Sequence, residues 1–120
     1  MWPFGERRQN KRRKVAWEAS LFCRFMNLNQ TVPVTVAEVS LSGARLHLDS
    51  MQVGPYHLVV GETPVECELA IDVPQGLVKS NVEFRWYNQA QAEGLFVVGA
   101  EFVNMEPECR KILKLAMDGL

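Results

Sequence analysis

With 120 residues, 48% apolar and 22% charged, the chain has the composition of one folded domain and excludes both a disordered polymer and two independent units. The net charge is -1, yet residues 6–14, ERRQNKRRK, hold six Lys/Arg and one Glu, so a +5 segment is joined to a remainder of -6. No stretch approaches the ~18 to 20 apolar residues of a membrane-crossing helix, and no apolar run follows the N-terminal charges, so the expectation is a cytoplasmic protein without membrane insertion.

Composition divides the chain into a basic arm, 1–15, and a globular part, 16–120. The globular part opens on a half-buried strand: Trp17, Ala19, Leu21, Cys23 and Phe25 share one face, with Glu18, Ser20 and Arg24 on the other. NLNQ has turn composition, and TVPVTVAEVS then places Val32, Val34 and Val36 on one side. Pro33 lacks a backbone donor, which predicts an edge or a bulge there. ARLHL continues with Leu46 and Leu48 inward and Arg45 and His47 outward, and PYHLVVG follows a turn around Gly54.

VECELAI alternates cleanly, with Val65, Cys67, Leu69 and Ile71 inward. DVPQG makes a turn, after which strict alternation through NVEFRWYN places Val82, Phe84 and Trp86 on the core face. NQAQAEG reads as a hairpin loop into LFVVGAEFV. From Glu106 the period becomes helical, with Cys109, Ile112, Leu113, Ala116 and Leu120 on one face, Pro107 in the first turn and Gly119 at the end. Many strands, frequent turns and one terminal helix predict an all-β fold, a small antiparallel barrel or sandwich.

Signatures of catalysis and metal binding are missing from the sequence. His47 and His57 lack ligand spacing, and there is no nucleophile elbow, phosphate loop or dinucleotide fingerprint. Cys23, Cys67 and Cys109, odd in number and without close spacing, read as free thiols in a reducing compartment. The expectation is therefore a protein that is no enzyme, with no metal and no cofactor.

The basic run is the strongest chemical feature. Arg8 and Arg12 stand four apart, with Arg7, Lys11, Arg13 and Lys14 around them. An arginine fork grips a phosphate or the O6/N7 edge of guanine in the same geometry. Taken alone, such a run is also the composition of an indiscriminate polyanion arm. EVSLSGARL adds a break between strands, where Ser40, Ser42 and Gly43 allow close backbone approach and Glu38 supplies an acceptor.

The combination resembles a known family. Arg8-Gln-Asn-Lys-Arg12, followed by Glu38-Val-Ser40-Leu-Ser-Gly43, looks like the R-x-x-x-R and [D/N]-x-S-x-x-G motifs of the PilZ domain, a bacterial receptor module for cyclic di-GMP. VEFRWYN, GLFVVGAEFVN and the terminal helix are similar to its closing elements, so the likeness covers nearly the whole chain. It implies a six-stranded antiparallel β-barrel of split-barrel type with a C-terminal α-helix. It also implies a cyclic di-GMP site formed by Arg8, Arg12, Glu38, Ser40 and Gly43, with Arg7, Arg13 and Arg45 as accessory contacts and an effector protein in trans. Glu38 stands where the family pattern has Asp or Asn. That departure keeps a second expectation in view, an adaptor of the same fold that binds protein and no nucleotide. The third, a barrel that takes nucleic acid nonspecifically through its arm, is disfavoured by the acidic remainder.

Overall fold

The computed structural model describes residues 11–25, 28–53, 56–58, 66–89 and 95–120. Six strands close into an antiparallel barrel: β1 (Arg13–Arg24), β2 (Asn29–Val39), β3 (Gly43–Leu48), β6 (Glu66–Val73), β7 (Gly76–Gln89) and β8 (Phe96–Val103), in the order β1-β2-β3-β8-β7-β6. Two short strands, β4 (Gln52–Val53) and β5 (Tyr56–His57), form a separate hairpin, closed by a Leu58 N–H bond to the Met51 carbonyl at 2.7 Å. A helix, α1 (Pro107–Asp118), completes the chain and is too short to cross a membrane.

The barrel follows from alternation. A strand turns successive side chains to opposite faces, and closure leaves one face inside and the other in solvent. Leu21, Val36, Leu46, Leu69, Ile71, Val78 and Val98 are buried at 0–1% exposure and fill the interior. Each such side chain contributes about 1.5–3 kcal/mol on leaving water. Pro33 is exposed and pairs with Ser20 of β1, while the ladder from β2 to β3 begins only at Thr35. Its missing donor thus falls where β2 is an edge, as expected.

The helix closes one end of the barrel. Pro107 occupies the first turn, and Leu113, Ala116 and Met117 are buried against the core. Leu120 departs from the expected apolar face and is 57% exposed. The reason is local: the helix ends at Asp118, and Leu120 lies beyond the helical phase after Gly119. Two strand turns meet α1. Gly76, in the β6–β7 turn, has φ +146°, and a side chain there would come within 3.1 Å of Ile112 Cδ1. At the β2–β3 turn, Arg110 Nη1 donates to the Leu41 carbonyl at 3.4 Å.

Gly76→Ala puts a side chain on a backbone conformation that L-residues rarely adopt and presses its methyl group against Ile112 Cδ1. It should lower stability by roughly 1–3 kcal/mol. Urea denaturation should show a lower midpoint with an unchanged slope.

Candidate functional site

Two interruptions of the strand period build the site. In β2, Val36 pairs with Leu46 of β3 but Glu38 pairs with Arg45, so Ala37 is an extra residue. In β7, Phe84 pairs with Ala100 of β8 but Trp86 pairs with Gly99, so Arg85 is extra. By strict alternation Glu38 would follow Val34 and Val36 inward, and Trp86 would follow Val82 and Phe84. Each bulge shifts the phase by one and sends the next side chain out. The expectation that Trp86 belongs to the core is therefore corrected, whereas Trp17 does pack against the core.

These residues form a row across the outside of the barrel. Lys14 pairs with Glu38, Glu38 with Arg45, Arg45 with Gly99, and Gly99 with Trp86, so the row crosses β1, β2, β3, β8 and β7. The absence of a side chain at Gly99 lets the indole lie on the sheet, since a Cβ there would overlap the Trp86 ring. The Arg45 guanidinium carbon stands 5.8 Å from the centre of that ring, within cation–π range.

Glu38 is the electrostatic centre. Its Oε1 lies 3.4 Å from Arg45 Nη2 and 4.0 Å from Arg12 Nη1, with its side chain 16% exposed. Neither approach is an aligned hydrogen bond, so this buried oxygen is held by charge and keeps acceptor capacity. The arginines are about one-third exposed, and solvent limits each pair to about 1 kcal/mol or less. Trp86 Nε1 is buried without a hydrogen-bond partner among the described residues. A donor and an acceptor with unused capacity thus flank Arg45.

Ser40 and Gly43 serve the turn beside this row. Ser40 is fully buried; its Oγ accepts the Ser42 N–H at 3.2 Å, donates to the Gly43 carbonyl at 3.5 Å and lies 3.1 Å from Ser42 Oγ. The Ser40 N–H also bonds to the Gly43 carbonyl at 2.9 Å, and the Phe102 N–H to the Ser42 carbonyl at 2.9 Å. Gly43 is buried and pairs with Glu101 of β8, whose carboxylate accepts from Arg85 Nε at 2.6 Å.

The structure brings Arg12, Glu38 and Arg45 together and places Arg13 elsewhere. Arg13 pairs with the inward Val39 and, with Lys11, lines a cleft of about 190 Å³ completed by Leu41, Lys114, Met117 and Asp118. Successive residues of the arm therefore face two regions, Arg12 toward Glu38 and Lys11 and Arg13 toward α1. Arg7 and Arg8 lie outside the described residues. Sequence reasoning missed Trp86 and Gly99; the signal was Gly99 itself, a glycine inside an apolar strand, which marks a close approach. Among the described residues no group of three His, Cys, Asp or Glu side chains could hold a metal ion.

Gly99→Ala should push the Trp86 indole off the sheet and out from under Arg45. A loss of about 1–3 kcal/mol is expected, as for other overpacked positions. The accompanying signature is a red shift of tryptophan emission in the folded protein.

The family model for the PilZ domain matches residues 6–118. Among solved structures, Bacillus subtilis inhibitor of motility (MotI/DgrA) is similar, with a TM-score of 0.70 and 13% identity over 95% of this chain, which spans 51% of that chain. The PilZ domain of YcgR from Escherichia coli, solved with c-di-GMP, is similar with a TM-score of 0.68 and 12% identity over 94% of this chain and 91% of that one. No curated protein sequence matches significantly.

Proposed function

This chain belongs to the PilZ family, and we propose that it is a cyclic di-GMP receptor that couples the level of this second messenger to an effector protein in trans. The observation that carries this reading is the convergence of Arg12 with Glu38 and Arg45 on the barrel's outer face, which joins the R-x-x-x-R run to the E-V-S-L-S-G stretch. Two arginines around one carboxylate leave a local positive charge beside a flat indole. That combination suits a ligand with two phosphates and two planar bases.

Each residue has a role in this reading. Arg8 and Arg12 supply guanidinium forks for phosphate and for the O6/N7 edge of guanine. Glu38 accepts from the N1–H and N2–H edge. The turn of Ser40 and Gly43 forms the wall opposite the arm, with Ser40 holding its shape and Gly43 leaving room. Arg45 and Arg7 are accessory phosphate contacts, and Trp86 offers a stacking face next to Arg45. Arg13 adds field from the other side of β1.

The ligand-free pairs of Glu38 make binding an exchange. A phosphate must take Arg12 and Arg45 from the carboxylate, so the net gain is smaller than a count of new contacts. Partly exposed charges are screened, and affinity should fall as salt is raised. PilZ domains are receptor and adaptor modules. For this chain the output passes to a separate protein, in control of motility, pili, biofilm or exopolysaccharide.

Calorimetry with cyclic di-GMP, beside GMP and single-stranded DNA, tests the reading. Heat with the cyclic dinucleotide alone is expected, with a raised melting temperature at saturating ligand. Arg8→Ala and Arg12→Ala should each nearly abolish binding, while Lys14→Ala should cost little. No heat at tens of micromolar ligand would replace the receptor with a nucleotide-free protein adaptor. That second reading draws support from Glu38 already engaging both arginines. Equal heat with DNA would instead favour nonspecific polyanion binding.

A further inference from the structure

We propose that Cys23 and Cys67 are an oxidisable pair, which a small hydroperoxide converts into a disulfide that staples β1 to β6 inside the barrel. This inference stands apart from the ligand site and does not depend on it.

Placement comes first. Cys23 and Cys67 are direct partners in the antiparallel ladder between β1 and β6, which runs from Ala19–Ile71 to Arg24–Glu66. Both side chains point inward, at 0% and 6% exposure, and their sulfurs lie 3.7 Å apart. Opposed residues of an antiparallel pair have Cα atoms about 4.5–5.5 Å apart, inside the 4.4–6.8 Å range of disulfides. Rotation about χ1 is then the main movement needed to bring the sulfurs to about 2.05 Å. Both cysteines are free thiols in this structure.

Access comes from the end of the ladder: Cys23–Cys67 is one rung from Arg24–Glu66, the last pair of β1 with β6, and fraying of that end exposes the sulfurs to a small oxidant.

The chemistry balances in two steps. Cys23 sulfur attacks one oxygen of hydrogen peroxide; the O–O bond breaks, Cys23 becomes a sulfenic acid, and water leaves with the Cys23 thiol proton. Cys67 sulfur then attacks Cys23 sulfur; the S–S bond forms, the S–O bond breaks, and the Cys67 proton departs in a second water. Two thiols are oxidised and one peroxide is reduced.

The thiols are poised unequally for these roles. The Cys67 S–H donates to Cys23 sulfur and so lowers the Cys23 pKa, which suits the thiol that meets the oxidant first. The same bond and burial raise the Cys67 thiol, which leaves it to the second, resolving step. Cys109 takes no part. It sits on α1, where its sulfur accepts the Lys79 N–H at 3.4 Å.

The test treats the full chain with hydrogen peroxide and maps its thiols under non-reducing conditions. A cross-linked Cys23–Cys67 peptide, a mass loss of about 2 Da, and a melting temperature raised on the order of 10 °C and reversed by dithiothreitol are expected. Cys109→Ser should keep all three, and it removes intermolecular products as an explanation. Cys67→Ser should lose them; because a core substitution can prevent folding, the peptide map of the Cys109→Ser protein decides. Sulfinic or sulfonic acid without a cross-link, or both thiols still alkylated after unfolding the treated protein, overturns the proposal.

Discussion

The outer face of the barrel depends on two places where the strand period slips by one residue. Ala37 and Arg85 are the extra residues, and each turns the side chain after it, Glu38 or Trp86, from inside to outside. With a perfect period of two, the carboxylate would be buried unpaired in an apolar core, at a cost of several kcal/mol. The indole would compete for space with Phe84. The bulges avoid both outcomes and put the two groups in one row with Arg45 and Gly99.

That row gives the site its electrostatic character. A carboxylate between two partly exposed guanidinium groups is held in place without having its acceptor capacity used up. The arm is divided by the same alternation that builds the barrel: Arg12 faces the row, and Lys11 and Arg13 face the cleft beside α1. One short segment therefore touches both the proposed ligand site and the helix that closes the barrel. Any movement of the arm is felt at both.

Closure of the barrel explains why a helix and a pair of thiols lie where they do. Six strands leave open ends, and α1 covers one with Leu113, Ala116 and Met117. The β1–β6 ladder joins strands distant in sequence, and it is there that Cys23 and Cys67 meet. A cross-link at that seam would restrict the unfolded chain more than one between neighbouring strands, by roughly 1 kcal/mol, because the loop it closes is longer and the entropy grows with the logarithm of its length.

Much of this was legible in the residues. The inward faces of β1 and β3, Pro33 at an edge, the turn before Gly76 and the helix from Pro107 follow from local rules of period, capping and missing donors. The resemblance grouped Arg12 and Glu38 in one expected site and kept Arg45 only as an accessory contact; the structure sets the Glu38 carboxylate near both guanidinium groups. Arg13 and Arg12 are adjacent basic residues, and only their opposite directions, set by pairing with Val39 and by the Glu38 carboxylate, separate them. Trp86 was misread because its sequence continues the pattern of Val82 and Phe84 without a break. Sequence by itself determined which segments are strands, which faces are apolar and which residues carry charge, since these depend on neighbours along the chain. Tertiary structure alone decided where the period slips and which distant side chains meet, because a bulge is defined only against the strand it faces.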